Sequence, residues 1–140
     1  MGLLNILKKE KAPTIPLEFE ISGLLAYADQ AKEVMGKNPY LSRPSKKAGR
    51  IYVLAPFQGM GEIVIEKAKK KEKPTMKVMV DGHQLGFVPE ECIETVQIRL
   101  KAGQKVIVSL NGGNFQQYED DEWVTYKGYI HGRVTICKGI

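Results

Sequence analysis

Residues 76–89 read Met-Lys-Val-Met-Val-Asp-Gly-His-Gln-Leu-Gly-Phe-Val-Pro and carry the clearest structural pattern in the chain. Two apolar runs flank Asp81-Gly82, and Asp-Gly between apolar runs is among the strongest local signals for a tight β-hairpin. The pattern therefore predicts strands over residues 75–80 and 84–88. Pro89 follows, and proline suits the first turn of a helix because its missing N–H would have no helical partner there.

Further short segments with strand patterns lie on both sides of this hairpin. Residues 17–21 alternate between apolar and acidic side chains, as a half-buried strand does. Strands are likewise predicted over residues 50–54, 62–66, 105–110 and 123–137, the last with a bend at Gly128 or Gly132. Many short strands with few helices predict a mainly β fold, a small barrel or folded sheet with one or two short helices.

The segments between these strands are predicted as helices and breaks. Residues 24–35 carry apolar side chains at helix-like spacing and end at Gly36. Residues 93–100 fit both a helix and a strand, and periodicity does not decide between them. Residues 58–61 are predicted as a turn because they hold two glycines, and residues 119–122 as an acidic loop.

Length and composition bound the class of protein. A chain of 140 residues is expected to form one domain over residues 17–140, preceded by a flexible or weakly amphipathic arm over residues 1–16. No apolar run approaches the ~18 residues of a membrane span, and the start lacks a secretory signal pattern. Because Cys92 and Cys137 alone do not indicate a disulfide framework, we expect a cytoplasmic protein.

The positive charge is concentrated just before the hairpin, in a segment that we call the lysine run (residues 67–77). It contains six lysines and one glutamate, a net charge of +5 that equals the net charge of the whole chain. A concentrated cationic segment favours polyanions such as nucleic acid or acidic lipid. The alternative is a solvated sheet edge that its lysines keep soluble.

The order of a strand, a Val-Asp-Gly turn, a Gly-aromatic-aliphatic-Pro step and a helix resembles the HIRAN domain family. Residues 78–89 carry this signature, with Leu-Gly-Phe-Val-Pro at residues 85–89. Short stand-alone bacterial members are also similar, because they have a strand ending in Gly-Gly, an acidic loop and a returning last strand. Gly112-Gly113, residues 119–122 and residues 129–136 match that order. The resemblance implies a small HIRAN-like or OB-like β-barrel.

The resemblance also implies a ligand, since HIRAN domains attached to DNA-remodelling enzymes bind single-stranded DNA at its 3′ end. Their pocket draws on a Glu-Pro-x-Asn-Pro-Tyr-Asp-type loop just before the hairpin. Here Glu66 and Glu72 fall on the loop's glutamate and aspartate, whereas Lys69, Lys70 and Lys71 fall where Asn, Pro and Tyr would be. We therefore expect binding through charge rather than through a shaped pocket for the 3′ end.

These patterns predict a non-catalytic nucleic-acid-binding module, and single-stranded DNA is the expected ligand. Tyr52 and Phe87 are candidates for stacking on bases, with Arg50 near Tyr52 in the strand order. The structural alternative for both aromatic side chains is a place in the core. The predicted nucleic-acid-binding residues are Arg50, Tyr52, Lys69, Lys70, Lys71, Glu72, Lys77 and Phe87.

Other classes of function have weaker patterns in the sequence. His83 and His131 have no partner at metal-binding spacing, and neither paired carboxylates nor a nucleophile motif points to an enzyme. We predict no metal and no cofactor. The alternative function is a protein–protein interaction adaptor that has lost the pocket for the DNA 3′ end and offers its arm or a strand edge to a partner.

Overall fold

The predicted mainly β fold is confirmed by the structure, a computed structural model that describes residues 15–39, 50–66 and 74–138. The strands in these ranges are β1 (Leu17–Glu20), β2 (Arg50–Tyr52), β3 (Phe57–Met60), β4 (Glu62–Glu66), β5 (Thr75–Val80), β6 (His83–Phe87), β7 (Lys105–Gly112), β8 (Phe115–Glu119), β9 (Glu122–Tyr126) and β10 (Ile130–Cys137). The α-helices there are α1 (Ala28–Met35) and α2 (Ile93–Lys101), each preceded by one 3₁₀ turn, at Leu24–Tyr27 and Glu90–Cys92.

The Asp-Gly hairpin forms where the sequence predicts it. β5 and β6 pair antiparallel on either side of Asp81 and Gly82, whose φ angles are 47° and 81°. Positive φ at both central residues is what a type I′ hairpin turn requires. Alternate side chains of β5 and Leu85 of β6 are buried, so the hairpin contributes one face to the core.

Backbone hydrogen bonds join seven strands into a closed ring, in which β3 and β4 together occupy one place. One sheet has the order β1-β10-β7-β3, and another has the order β4-β5-β6. β3 and β4 are separated by Gly61 alone, whose N–H donates to the Val106 carbonyl at 3.0 Å, so one bent strand connects the two sheets. The ring closes where Ser22, just after β1, and Phe87 of β6 exchange two backbone hydrogen bonds of 2.8 Å.

The core lies inside this ring, and the helices cover it. α1 packs against β6, and α2 packs against β10, where buried Arg99 donates to the Ile136 carbonyl at 3.3 Å. No helix in the described ranges is both long and apolar enough to cross a membrane. The largest fully buried side chains are Met76, Leu85, Leu110, Ile136, Val78, Val80, Val96, Val108 and Val134.

A third sheet, of order β2-β8-β9, stands beside the ring. Its edge strand β2 is attached to the end of α1 through Asn38, whose backbone N–H donates to the Val53 carbonyl at 3.0 Å. The Asn38 side chain donates to the Tyr52 carbonyl at 2.7 Å. These contacts fix the position of β2, which carries Arg50 and Tyr52.

Two predictions of local structure are wrong, and the structure decides one segment that the sequence pattern left open. The predicted turn at residues 58–61 is wrong, because β3 extends to Met60 and finds its hydrogen-bond partners on β7. The predicted acidic loop is wrong too, since only Asp120 and Asp121 form the turn between β8 and β9, with φ angles of 46° and 64°. Residues 93–100, which the pattern left open, are helical in α2.

Candidate functional site

A cleft of about 440 Å³ opens where the third sheet meets the ends of β7 and β10, and we call it the arginine cleft. This volume lies within the range of about 300–1,000 Å³ that is usual for ligand sites. Four strands (β2, β7, β8 and β10) and the connections that follow β2, β7 and β9 supply its walls. The lining residues are Arg50, Tyr52, Leu54, Pro56, Asn111, Gly112, Gly113, Phe115, Gly128, Tyr129 and His131.

Three aromatic rings form a row across the third sheet, and we call it the aromatic row (Tyr52, Phe115 and Tyr126). Phe115 lies directly opposite Tyr52 on one side and Tyr126 on the other in the strand register. The ring centroids are 5.7 Å apart for Tyr52 and Phe115, and 5.4 Å apart for the stacked pair of Phe115 and Tyr126. Direct cross-strand pairing of aromatic side chains stabilises such a sheet.

The guanidinium group of Arg50 lies over the aromatic row. Its Cζ atom is 4.5 Å from the centroid of the Phe115 ring, within the range of a cation–π contact. Arg50 is otherwise exposed. A guanidinium group held against a ring keeps its planar fork of N–H donors, which matches the oxygen atoms of a phosphate.

Glycine backbone forms the floor of the arginine cleft. The N–H of Gly113 donates to the Tyr129 carbonyl at 3.0 Å. A Cβ atom built on Gly128 would lie 2.4 Å from the Gly113 carbonyl oxygen, and one on Gly112 would lie 2.6 Å from the Tyr129 carbonyl oxygen. Only glycine permits the two chain segments to approach so closely. Gly112-Gly113 therefore does more than end β7, because it positions the segment that carries Tyr129.

The structure brings two of the predicted site residues together at this cleft. Arg50 and Tyr52 both line it, and Tyr52 is only partly buried rather than a core residue. Lys69, Lys70, Lys71 and Glu72 lie outside the described residues, and their role in binding stays a prediction.

The other two predicted site residues lie elsewhere, on the β5–β6 hairpin. Lys77 and Phe87 face each other across the two strands, and neither lines the arginine cleft. Lys77 forms an ion pair with Glu66, which balances its charge. Phe87 is partly buried and packs edge-on against Tyr27, with 5.9 Å between the ring centroids. Their part in binding also stays a prediction.

Phe115, Tyr126 and Tyr129 are the phenylalanine and tyrosine residues of the cleft and the row that the sequence-based prediction missed. A signal for two of them exists in the sequence. A two-residue turn at Asp120-Asp121 pairs Glu119 with Glu122, and counting outward from it places Phe115 opposite Tyr126, as observed. No local pattern brings Tyr129 to the cleft, because its position depends on Gly113 and Gly128.

The histidines and cysteines supply no alternative site in the described part of the chain. No group of three His, Cys, Asp or Glu side chains there is arranged to hold a metal ion. Cys92 and Cys137 are both free thiols. Burial, and then the nearby charge of Glu91, raises the pKa of the Cys92 thiol, which lowers the fraction of reactive thiolate at neutral pH.

Comparison with known proteins gives no relative: no protein-family model, curated protein or solved structure matches this chain. The resemblance to HIRAN domains stays a prediction, carried by the motif at residues 78–89.

The hydroxyl of Tyr126 anchors one end of the aromatic row by donating to Glu119 Oε2 at 2.6 Å. This hydrogen bond is the main reason that the pKa of Tyr126 lies above its usual 10.0, followed by desolvation and by the charges of Glu119 and Asp120. Because the folded state holds the proton more tightly, the contact stabilises the fold below about pH 10 and weakens as pH rises through the folded-state pKa.

We expect Glu119→Ala to lower the pKa of Tyr126 toward its usual value. An NMR titration of the tyrosine Cζ resonances measures the shift. Asp120→Asn is the control, and it should lower the pKa less because Asp120 acts through charge alone. An unchanged Tyr126 pKa in Glu119→Ala would contradict the role of this hydrogen bond.

Proposed function

We propose that this chain is a non-catalytic module that binds single-stranded nucleic acid, with single-stranded DNA as the expected ligand. The observation that carries the proposal is the arginine cleft, where Arg50 lies over the aromatic row beside the exposed ring of Tyr129. Proteins that bind single strands combine cationic grooves, which hold phosphates, with aromatic rings, which stack on bases.

The charge distribution supports the same proposal. The sequence has a pI of about 9.1, and no acidic side chain is among the described residues that line the arginine cleft. The lysine run follows β4 in the chain, extends to Lys77 within β5, and adds further positive charge. Lysine binds phosphates as a point charge, so binding that uses this run does not require a shaped pocket.

We further propose that the β5–β6 hairpin belongs to a HIRAN-like domain whose ligand loop has become a lysine run. In such a protein, affinity comes from phosphates along the strand and from stacked bases. The terminal 3′-hydroxyl then contributes little, and strands that end in 3′-hydroxyl and in 3′-phosphate should bind about equally.

Fluorescence anisotropy with labelled oligothymidine tests the proposal. We expect tight binding at low salt, and a logarithm of affinity that falls with the logarithm of salt concentration by about 0.7 for each phosphate contacted. Changing Lys69, Lys70 and Lys71 together to Ala should reduce this slope by about 2, if each lysine neutralises one phosphate. Absence of binding by the wild-type protein at low salt would overturn the proposed function.

A matched control removes the same charge elsewhere. Lys105 begins β7 opposite Cys137, at the far end of these strands from the cleft. Lys101 ends α2 shortly before Lys105 in the chain, and Lys138 follows Cys137. Changing Lys101, Lys105 and Lys138 together to Ala should leave the salt slope almost unchanged. Equal effects of the two triple variants would contradict binding through the lysine run.

A protein–protein interaction adaptor is the second candidate function. Its support is the set of exposed apolar side chains along β3 and β4, where Met60, Val64 and Ile65 are between 41% and 59% exposed. Exposed apolar side chains that lie close together are typical of interaction surfaces. A pull-down in which partners survive nuclease treatment would support this candidate, and one that recovers only nuclease-sensitive material would contradict it.

A further inference from the structure

A second cleft, of about 470 Å³, adjoins the arginine cleft, and we call it the apolar cleft. The two clefts share four lining residues, Leu54, Gly113, Gly128 and Tyr129, which form a common wall between them. The other walls of the apolar cleft come from the 3₁₀ turn, α1, and the chain beside β2, β8 and β10. These further lining residues are Leu25, Ala28, Lys32, Val53, Asn114, Lys127 and Ile130.

Tyr129 stands between the two clefts and lines both. Its side chain is 71% exposed, so the core does not use this ring. Its backbone is nevertheless held, because its carbonyl accepts the hydrogen bond from Gly113. An exposed aromatic ring on a fixed backbone is well suited to stack on a flat ligand, since little backbone entropy is lost when the ligand binds.

The charges around the apolar cleft match a phosphate chain. Lys32 and Lys127 are both exposed lining residues, and no acidic side chain is among the described residues that line this cleft. Arg50 provides positive charge in the arginine cleft, on the other side of Tyr129. Positive side chains therefore occur in both clefts, whereas the walls near Tyr129 are apolar or aromatic. A chain of linked bases and phosphates has this alternation of flat apolar and anionic groups.

We propose that the two clefts hold two consecutive bases from the interior of one strand, with the Tyr129 ring inserted between them. This inference rests on the proposed function and names the part of the ligand that the site recognises. Stacked bases in a strand are spaced by about 3.4 Å, and an inserted ring roughly doubles that spacing. The flanking phosphates then lie beside Arg50 on one side and beside Lys32 and Lys127 on the other.

Anisotropy with fluorescein-labelled oligothymidine, combined with competition by thymidine monophosphate and by the dinucleotide TpT, tests the inference. We expect TpT to displace the labelled strand from wild-type protein at a concentration at least about tenfold lower than thymidine monophosphate requires. The reason is that TpT fills both clefts, whereas the monophosphate fills one. Tyr129→Ala should weaken binding of the labelled strand about five- to 150-fold, the usual effect of losing one stacking ring. It should also remove the preference for TpT.

Tyr129→Phe keeps the ring and should bind within about twofold of wild type, since stacking does not need the hydroxyl group. A thermal melt of each variant checks that the fold is retained. If the wild type binds the strand but Tyr129→Ala binds it equally well, or if TpT competes no better than the monophosphate, this inference fails and the proposed function stands. If the wild type binds no strand at low salt, the proposed function fails and the inference fails with it.

Discussion

Gly86→Ala is expected to lower the free energy of unfolding by about 3–5 kcal/mol, a large effect for one substitution. Gly86 has a φ angle of 146°, which is strained for any residue with a Cβ atom, and its Cβ would lie 2.4 Å from the Ser22 carbonyl oxygen. The backbone has little room to yield, because the next residue, Phe87, makes the two hydrogen bonds with Ser22 that close the ring of strands.

Gly82→Ala in the same hairpin is the matched control. Gly82 also has a positive φ angle, 81°, but a Cβ atom there would meet no other atom within 4 Å. Only backbone strain is added, and it costs about 1–2 kcal/mol. Urea-induced unfolding of the two variants and the wild type measures both effects. Equal losses of stability would contradict the close approach of Gly86 to Ser22 as the cause.

Arg50→Ala is expected to weaken binding of single-stranded oligothymidine about tenfold to a hundredfold. Hydrogen bonds to charged groups contribute about 1.5–3 kcal/mol each, and the substitution removes the guanidinium donors that face the cleft. The substitution also uncovers the Phe115 ring, since the Cζ atom of Arg50 lies 4.5 Å from the centroid of that ring. Anisotropy titrations at one fixed salt concentration measure the loss.

Two further variants separate the causes of this effect. Arg50→Lys keeps the charge but loses the planar fork, so it should bind with intermediate affinity. Arg133→Ala removes an exposed arginine that does not line the arginine cleft. Its Nη1 atom lies 3.6 Å from Glu18 Oε2. Arg133→Ala should change affinity by less than about threefold, because only the long-range field is altered. Equal losses in Arg50→Ala and Arg133→Ala would show that general charge, rather than the cleft, holds the strand.

Two of the elements that local patterns predicted are formed by local interactions. The hairpin around Asp81-Gly82 and the helical segment ending at Gly36 follow from turn chemistry and side-chain spacing. β3 was missed because its partner, β7, lies far along the chain and no nearby pattern indicates that pairing. Residues 123–137 were predicted as one long strand with a bend at Gly128 or Gly132, whereas β9 ends at Tyr126 and β10 begins at Ile130. The break surrounds Gly128, where the chain packs against Gly113.

The candidate site was predictable in part. Arg50 and Tyr52 were chosen from the sequence, and the structure places both at one cleft. Phe87 was chosen on the same grounds, but the turn before α1 reaches over it and Tyr27 contacts its ring. The alternation of side chains along a strand indicates which residues share a face, but it does not indicate what covers that face.

Local sequence patterns were sufficient to predict the mainly β fold and the Asp-Gly hairpin, and they include the concentration of lysine before the hairpin. These features depend on turn residues, alternation and charge among residues that are close in the chain. Local patterns did not indicate that the ring of strands closes at Ser22 and Phe87, or which side chains meet around Tyr129. Both outcomes require close contact between backbone segments that are distant in the chain, and such contacts depend on the packing of the whole fold.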